Sequence, residues 1–216
     1  IMELNLNERG SQVQVKNRFH KNKYAIEHIE GIDIPDIQNS KTQYIAEHPK
    51  KIVNKVKGEN VPFLYSMNPY QGCEHGCVYC YARESHQYWG YGAGLDFERK
   101  IIYKPEAPEL LEKQFNNKNW KASPIMLSGN TDCYQPIERK LKITRRLLEV
   151  CLKYKHPVSI LTKNGLVQRD LDLLTQLAEQ NLVHVALSIT SLDNNFRSAL
   201  EPRAASVERK LETLEI

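Results

Sequence analysis

The chain has 216 residues, 41% of them hydrophobic, and its 30 basic and 26 acidic residues give a net charge of +4. This length and composition predict one sizeable domain, or one domain with an extension, and so weak a positive charge does not by itself identify nucleic acid as a partner. No apolar run is long enough to cross a membrane and no apolar leader opens the chain, so no membrane partner is expected.

Residues 1–60 are predicted to form a polar N-terminal extension. They contain a basic cluster, which is interpreted either as a solvated arm or as an arm that contacts phosphate: Lys16, Arg18, His20, Lys21 and Lys23. Residues 33–36 are typical of a turn, and a short element at 45–48 is expected to end before Pro49.

Residues 61–216 alternate between strand and helix patterns. Strands are predicted at 63–68, 125–128, 158–162 and 183–189, and helices at 108–115, 137–154, 170–180 and after Ser206. This order favours parallel βαβ units, and hence an α/β fold of the (β/α) barrel type. Because a closed barrel needs about 250 residues, the segment supplies only about half of one. We therefore expect further strands on the C-terminal side.

The densest chemical signal is a C-x3-C-x2-C run formed by Cys73, Cys77 and Cys80. Three thiolates leave a four-site metal centre one ligand short, and an open position allows chemistry. An iron–sulfur cluster is the favoured interpretation. A zinc site with His75 as fourth ligand and three ordinary buried cysteines are the alternatives. With five cysteines in total and no disulfide framework expected, a reducing compartment, the cytoplasm, is predicted.

Polar residues follow each of the later predicted strands. They are Ser128, Gly129, Asn130, Thr131 and Asp132 after the second, Thr162 and Lys163 after the third, Ser188 and Thr190 after the fourth, and Glu201 and Arg203 beyond it. The carboxyl ends of parallel strands meet at one face of a barrel. These residues are therefore expected to share one cavity with the cysteine run.

Several motifs together resemble the radical S-adenosylmethionine (SAM) family related to spore photoproduct lyase, whose members are often labelled "DNA repair photolyase". They are NPYQGCEHGCVYCYAR at 68–83, SGNTDCYQPIE at 128–138, LTK at 161–163, RDLDLL at 169–174 and LEPRA at 200–204. The resemblance covers about residues 60–216. It implies the N-terminal part of a radical SAM barrel that is incomplete at its C-terminal side.

The resemblance also implies roles for individual residues. Cys73, Cys77 and Cys80 would hold a [4Fe–4S] cluster, with Tyr79 beside the cluster and SAM. Thr131, Lys163 and Ser188 match SAM-contacting positions; Ser128, Gly129, Asn130, Glu201 and Arg203 are further candidates. Tyr79 and Tyr81 match aromatic residues proposed to pass radicals. The lyase has a hydrogen-donating cysteine where this chain has Gly129, so Cys133 is a tentative relocated donor.

The implied activity is reductive cleavage of SAM to a 5′-deoxyadenosyl radical, supplied with electrons by a flavodoxin or a ferredoxin-like protein. Nucleic acid is the substrate that the lyase resemblance suggests. A radical SAM enzyme acting on a protein or small molecule is one alternative, and a zinc-binding module without catalysis is another.

Overall fold

The computed structural model describes residues 9–11, 13–19, 41–56 and 63–216. Three members of the basic cluster, His20, Lys21 and Lys23, lie outside the described residues. The turn predicted at 33–36 lies outside them too.

Within the described residues, eight strands form two sheets. In chain order they are β1 Gln43–Ala46, β2 Val53–Lys55, β3 Tyr65–Met67, β4 Tyr70–Gln71, β5 Lys100–Tyr103, β6 Ile125–Leu127, β7 Val158–Thr162 and β8 Val183–Leu187. The larger sheet has the order β2-β3-β6-β7-β8 and the smaller one β1-β5-β4.

Strands β3, β6, β7 and β8 run parallel, which confirms the predicted α/β arrangement. Their register aligns Met67 with Leu127 and Leu127 with Ile160, so the first three end almost level. The loops after these strands therefore emerge along one edge of the sheet, as expected for a site at the carboxyl ends.

Strands β1 and β2 lie within the segment predicted as a polar extension. Strand β1 pairs in parallel with β5, and β2 pairs antiparallel with β3 at the edge of the larger sheet. The short element expected before Pro49 is thus β1. The sequence analysis predicted neither pairing, although both attach this segment to the core sheets.

In the part of the chain that the structure describes, seven α-helices accompany the strands: α1 Leu95–Arg99, α2 Ala107–Phe115, α3 Glu138–Leu141, α4 Ile143–Lys153, α5 Leu171–Ala178, α6 Asn194–Leu200 and α7 Val207–Leu214. Two 3-10 segments, Tyr81–Trp89 and Gly165–Asp170, complete the regular structure. Among the residues described, no helix is both long and apolar enough to cross a membrane.

The single helix predicted over 137–154 is wrong, because the chain breaks at Lys142 into α3 and α4. Lys142 has a left-handed backbone, with φ of 51°. The buried Glu138 carboxylate accepts a hydrogen bond from the Thr144 amide at 3.1 Å. A side chain thus binds a first-turn amide of α4 that has no partner within the helix.

The hydrophobic core lies between the larger sheet and the helices behind it. Met67, Leu127 and Ile160 contribute from the strands, with Leu148 from α4 and Leu177 from α5, and each is nearly or completely inaccessible to solvent. This packing fixes the strands and so gives the loops at their carboxyl ends a rigid base.

Candidate cofactor-binding site

The cysteine run forms a loop between β4 and the 3-10 segment Tyr81–Trp89. Gly72 and Gly76 have φ of 79° and 68°, a region that other residues rarely adopt. A Cβ atom at Gly72 would lie 2.9 Å from the Phe97 carbonyl oxygen. The tight path of the loop therefore requires glycine at Gly72.

The side chains of Gln135 and Arg83 hold this loop through hydrogen bonds to its backbone. The Gln135 amide donates to the Gly72 carbonyl at 3.1 Å and accepts from the Glu74 amide at 3.2 Å. Arg83 donates to the Cys77 carbonyl at 2.9 Å and pairs with the fully buried Glu98 at 2.7 Å. The loop is thus shaped by protein contacts on both sides of Cys77.

The three thiols of Cys73, Cys77 and Cys80 are free and line one open cavity of about 180 Å³. Burial raises the pKa of Cys77 to about 12, and burial also raises that of Cys80. No three His, Cys, Asp or Glu side chains of the described residues converge on a single-ion site. The thiolates of a cubane bind separate irons, so they need not converge on one point. The donor set fits an iron–sulfur cluster, which takes cysteine thiolates as ligands.

His75, the fourth ligand of the zinc alternative, is buried and engaged by other residues. Its Nδ1 lies 3.3 Å from Asp132 Oδ2, and its Nε2 lies 3.4 Å from Asn164 Nδ2. Burial would lower the pKa of His75, but the Cys73 and Asp132 side chains raise it to about 10. His75 thus joins the cysteine loop to Asp132.

Asp132 connects three parts of the site, a role that the sequence analysis missed. Its carboxylate accepts hydrogen bonds from the Thr162 hydroxyl and the Lys163 amide, both at 2.8 Å. Burial would raise the pKa of Asp132, but the neighbouring His75 and the hydrogen bonds from the Lys163 and Tyr134 amides lower it. The only sequence signal was a carboxylate placed just after a strand, which is also common in turns.

Lys163 projects from the end of β7 into the cavity and is held by a network. Its Nζ lies 2.6 Å from Ser188 Oγ, 3.0 Å from Glu201 Oε1 and 5.5 Å from the Tyr79 ring centroid. Burial would lower the pKa of Lys163, but Tyr79 and Glu201 raise it above its ordinary value. The ammonium therefore remains charged at neutral pH.

Glu201 is the centre of that network. It is fully buried and binds a second lysine, the equally buried Lys210 of α7, at 2.8 Å. The hydroxyls of Tyr79 and Thr190 also donate to it. Burial would raise the pKa of Glu201, but these donors and Lys163 lower it to about 2. Two lysines and one carboxylate give this group a net positive charge, and Lys163 is its member that lines the cavity.

Most of the predicted site residues line the same cavity as the thiols. Besides Lys163, these are Tyr79, Tyr81, Ser128, Asn130, Thr131 and Ser188. The Tyr81 hydroxyl donates to the Gly129 carbonyl at 2.5 Å, and the Thr131 hydroxyl donates to the Tyr70 carbonyl at 2.7 Å. The structure thus brings together side chains that lie far apart in the chain, such as Tyr79 and Ser188, which are separated by 109 residues.

Four predicted residues lie outside this lining. The Gly129 carbonyl accepts a hydrogen bond from Tyr81, and the buried Glu201 forms an ion pair with Lys163. Arg203 turns away, with Nη1 3.3 Å from Glu74 Oε2. Cys133 is fully buried in the hydrophobic core, and burial raises its pKa well above the ordinary value. Its position does not support the tentative role of relocated hydrogen donor.

The geometry of the thiol-lined cavity agrees with the comparison against known families. A model of the Radical SAM superfamily matches residues 67–216. The chain belongs to the Radical SAM superfamily. Membership confirms the predicted family and implies SAM and an iron–sulfur cluster as cofactors. It also disfavours the zinc-binding module.

Two relatives of this chain are named as uncharacterized proteins. One, from Mycobacterium tuberculosis (strain H37Rv), is 32% identical over 163 residues, which cover 75% of this chain and 48% of the relative. Another, from Methanocaldococcus jannaschii, is 33% identical over 176 residues, covering 82% of this chain and 62% of the relative. The chain spans about half the length of the mycobacterial protein.

Solved structures of spore photoproduct lyase share the radical SAM fold. The complex with dinucleoside spore photoproduct aligns with a TM-score of 0.58 at 15% identity, covering 80% of this chain and 46% of that chain. A double mutant with bound AdoMet and dinucleoside spore photoproduct gives a TM-score of 0.57 at 16% identity. At such identity the likeness shows the fold alone.

Proposed function

We propose that this chain carries the cofactor site of a radical SAM enzyme, with a [4Fe–4S] cluster held by Cys73, Cys77 and Cys80. The observation that carries the proposal is one cavity lined both by the three thiols and by Thr131, Lys163 and Ser188. The thiols suit the irons, and the polar side chains suit the charged and hydroxyl groups of SAM.

With both cofactors bound, the chemistry supplied is reductive cleavage of the S–C5′ bond of SAM, which yields methionine and a 5′-deoxyadenosyl radical. The protein supplies placement and a sheltered cavity. Lys163 presents a fixed ammonium that pairs with the SAM carboxylate, and Ser188 offers a hydroxyl beside it. Tyr79 and Tyr81 line the cofactor cavity, and their hydroxyls donate hydrogen bonds to Glu201 and the Gly129 carbonyl, respectively.

Replacing Lys163 with alanine is expected to weaken SAM binding about tenfold or more, since a hydrogen bond to a charged group contributes about 1.5–3 kcal/mol. Iron and sulfide content should stay unchanged because Lys163 touches no cysteine ligand. Calorimetric titration with SAM measures the change.

Lys100→Ala is a matched control for that variant, because Lys100 is also paired with a carboxylate, Asp96, and lies over a tyrosine ring, Tyr91, away from the cavity. The control should bind SAM normally. Equal SAM affinity in Lys163→Ala and Lys100→Ala would contradict a role of Lys163 in SAM binding.

We further propose nucleic acid as the substrate and a low-potential flavodoxin or ferredoxin-like protein as the electron donor. Support comes from the motif resemblance and from the fold shared with a lyase solved with a dinucleoside photoproduct. One observation favours a protein or small-molecule substrate instead. Gly129 carries no thiol and Cys133 is in the core, so neither places the hydrogen donor of the lyase at the cavity.

Anaerobic reconstitution followed by an assay for 5′-deoxyadenosine tests the proposal. Brown protein that forms 5′-deoxyadenosine supports the cofactor assignment, and a colourless redox-inert protein contradicts it. Stimulation by ultraviolet-irradiated DNA, but not by undamaged DNA, supports a nucleic-acid substrate. Stimulation only by proteins or small molecules favours the alternative.

A further inference from the structure

A second cavity, of about 670 Å³, lies next to the cofactor cavity along the loop that follows β7. Lys163 lines the cofactor cavity, and the next three residues, 164–166, line the second one. Its lining includes three arginines from different segments: Arg139 in α3, Arg203 before α7, and Arg209 in α7. We call it the arginine pocket. None of its described lining residues is acidic.

The positive charge of the arginine pocket is only partly neutralised by acidic side chains. Arg209 pairs at 3.2 Å with Glu212, but both side chains are more than half exposed, so this pair contributes little. Arg203 Nη1 is buried 3.3 Å from the Glu74 carboxylate, so the exposed guanidinium groups of Arg139 and Arg209 are the ones that a ligand can reach. A planar guanidinium with open donors is suited to bidentate contact with phosphate oxygens.

The arginine pocket is also fixed relative to the cysteine loop. The Arg203 amide donates to the His75 carbonyl at 3.2 Å, and Asn164, which lines the pocket, lies 3.4 Å from the His75 ring. These contacts hold the arginines at a fixed position beside the cysteine loop, so an anionic group bound by them would lie at a fixed distance from the cofactor cavity.

We propose that the arginine pocket binds a phosphodiester group of a nucleic-acid substrate whose reacting nucleotide enters the cofactor cavity. This inference rests on the proposed nucleic-acid function and deepens it. Phosphate contacts of this kind set the position of the strand, while other contacts select the nucleotide. Their binding energy is electrostatic and falls as salt rises, because each contact releases condensed counterions.

The test measures the salt dependence of oligonucleotide binding by the reconstituted chain. The probe is a short fluorescein-labelled single-stranded oligothymidylate, followed by anisotropy. In the double variant Arg139→Gln/Arg209→Gln, the slope of log affinity against log salt should fall by about 1.4, since each lost contact removes about 0.7. Arg203 is left intact because its partner Glu74 is buried.

Lys51→Gln/Lys113→Gln is the matched control. It removes the same charge from another pocket, lined by Lys50, Lys51 and Lys113. The control should keep the wild-type slope. Equal loss of slope in both double variants would show general attraction by net charge and overturn the proposal. An unchanged slope in the arginine variant would also overturn it.

Additional measurements separate other sources of anionic groups. If the arginine variant loses binding of ATP or inorganic phosphate but keeps the oligonucleotide slope, the pocket serves a free nucleotide or phosphate and the backbone assignment fails. If it only slows reduction by flavodoxin, the pocket docks an acidic electron donor, which also overturns the proposal.

Formation of 5′-deoxyadenosine without oligonucleotide is measured in the same samples. Normal formation by a wild-type protein that binds no oligonucleotide rejects the arginine pocket and leaves the cofactor assignment standing. If the salt slopes are as expected but the protein forms no 5′-deoxyadenosine, the arginine pocket stands and the cofactor assignment is rejected.

Discussion

Replacing Cys77 with alanine is expected to abolish loading of the iron–sulfur cluster. Cys77 lies in the middle of the three ligands, and its carbonyl is held by Arg83, so no neighbouring thiol can take its place without breaking the loop. Losing one of three protein ligands removes a bond that the remaining side chains cannot supply. Iron and sulfide analysis after anaerobic reconstitution measures the loss, together with the visible absorption of the cluster.

Cys151→Ala is the matched control for that variant. Cys151 is a fully buried cysteine of α4 that belongs to the core and does not line the cofactor cavity. The control should load a full complement of iron and sulfide and should lower the free energy of unfolding by about 1 kcal/mol, a typical value for a core substitution. A fully loaded cluster in Cys77→Ala would contradict the ligand assignment.

Replacing Lys210 with methionine is expected to lower the free energy of unfolding by about 3 kcal/mol, the low end of the cost of breaking a buried ion pair. Lys210 and Glu201 are both fully buried, with Nζ 2.8 Å from Oε2. Without Lys210, the Glu201 carboxylate has Lys163 as its remaining lysine partner. Lys163 must then neutralise Glu201 as well as bind the SAM carboxylate. SAM affinity should therefore fall in the same variant. Urea unfolding and calorimetric titration measure the two effects.

Lys153→Met supplies a matched control, because Lys153 forms a lysine–glutamate pair with Glu112 at 2.5 Å, but its side chain is 65% exposed. Water and salt screen an exposed pair, so Lys153→Met should change the free energy of unfolding far less than Lys210→Met does. The double variant Lys210→Met/Glu201→Gln should recover part of the stability, since no uncompensated charge stays buried. Equal losses in Lys210→Met and Lys153→Met would refute a special role for the buried pair.

Local patterns predicted the four parallel strands and three of the four proposed helices. Val158–Thr162, for example, is a run of apolar and β-branched residues bounded by turn residues, and it forms β7 with the predicted limits. The cysteine spacing and the motifs around it led to the correct superfamily. Three cysteines within one short loop indicate a metal site from local sequence alone, because the ligands are already close together in the chain.

Features that depend on distant partners were not predicted. Strand β2 has only three residues and gains its place by pairing with β3. The break at Lys142 depends on Glu138, a buried carboxylate that also binds Tyr70. The sequence around Lys210 does not distinguish it from a surface lysine, and its contact with Glu201 explains its burial. Propensity cannot indicate such contacts because they join residues far apart in sequence or on separate elements.

The bridging position of Asp132 makes the two halves of the site interdependent. One oxygen faces the cysteine loop through His75, and the same carboxylate holds the amide that orients Lys163. A shift of the loop on binding a cluster would therefore reach Lys163 through Asp132. In that case cluster occupancy and SAM affinity would be linked, and each would change the other by the same factor.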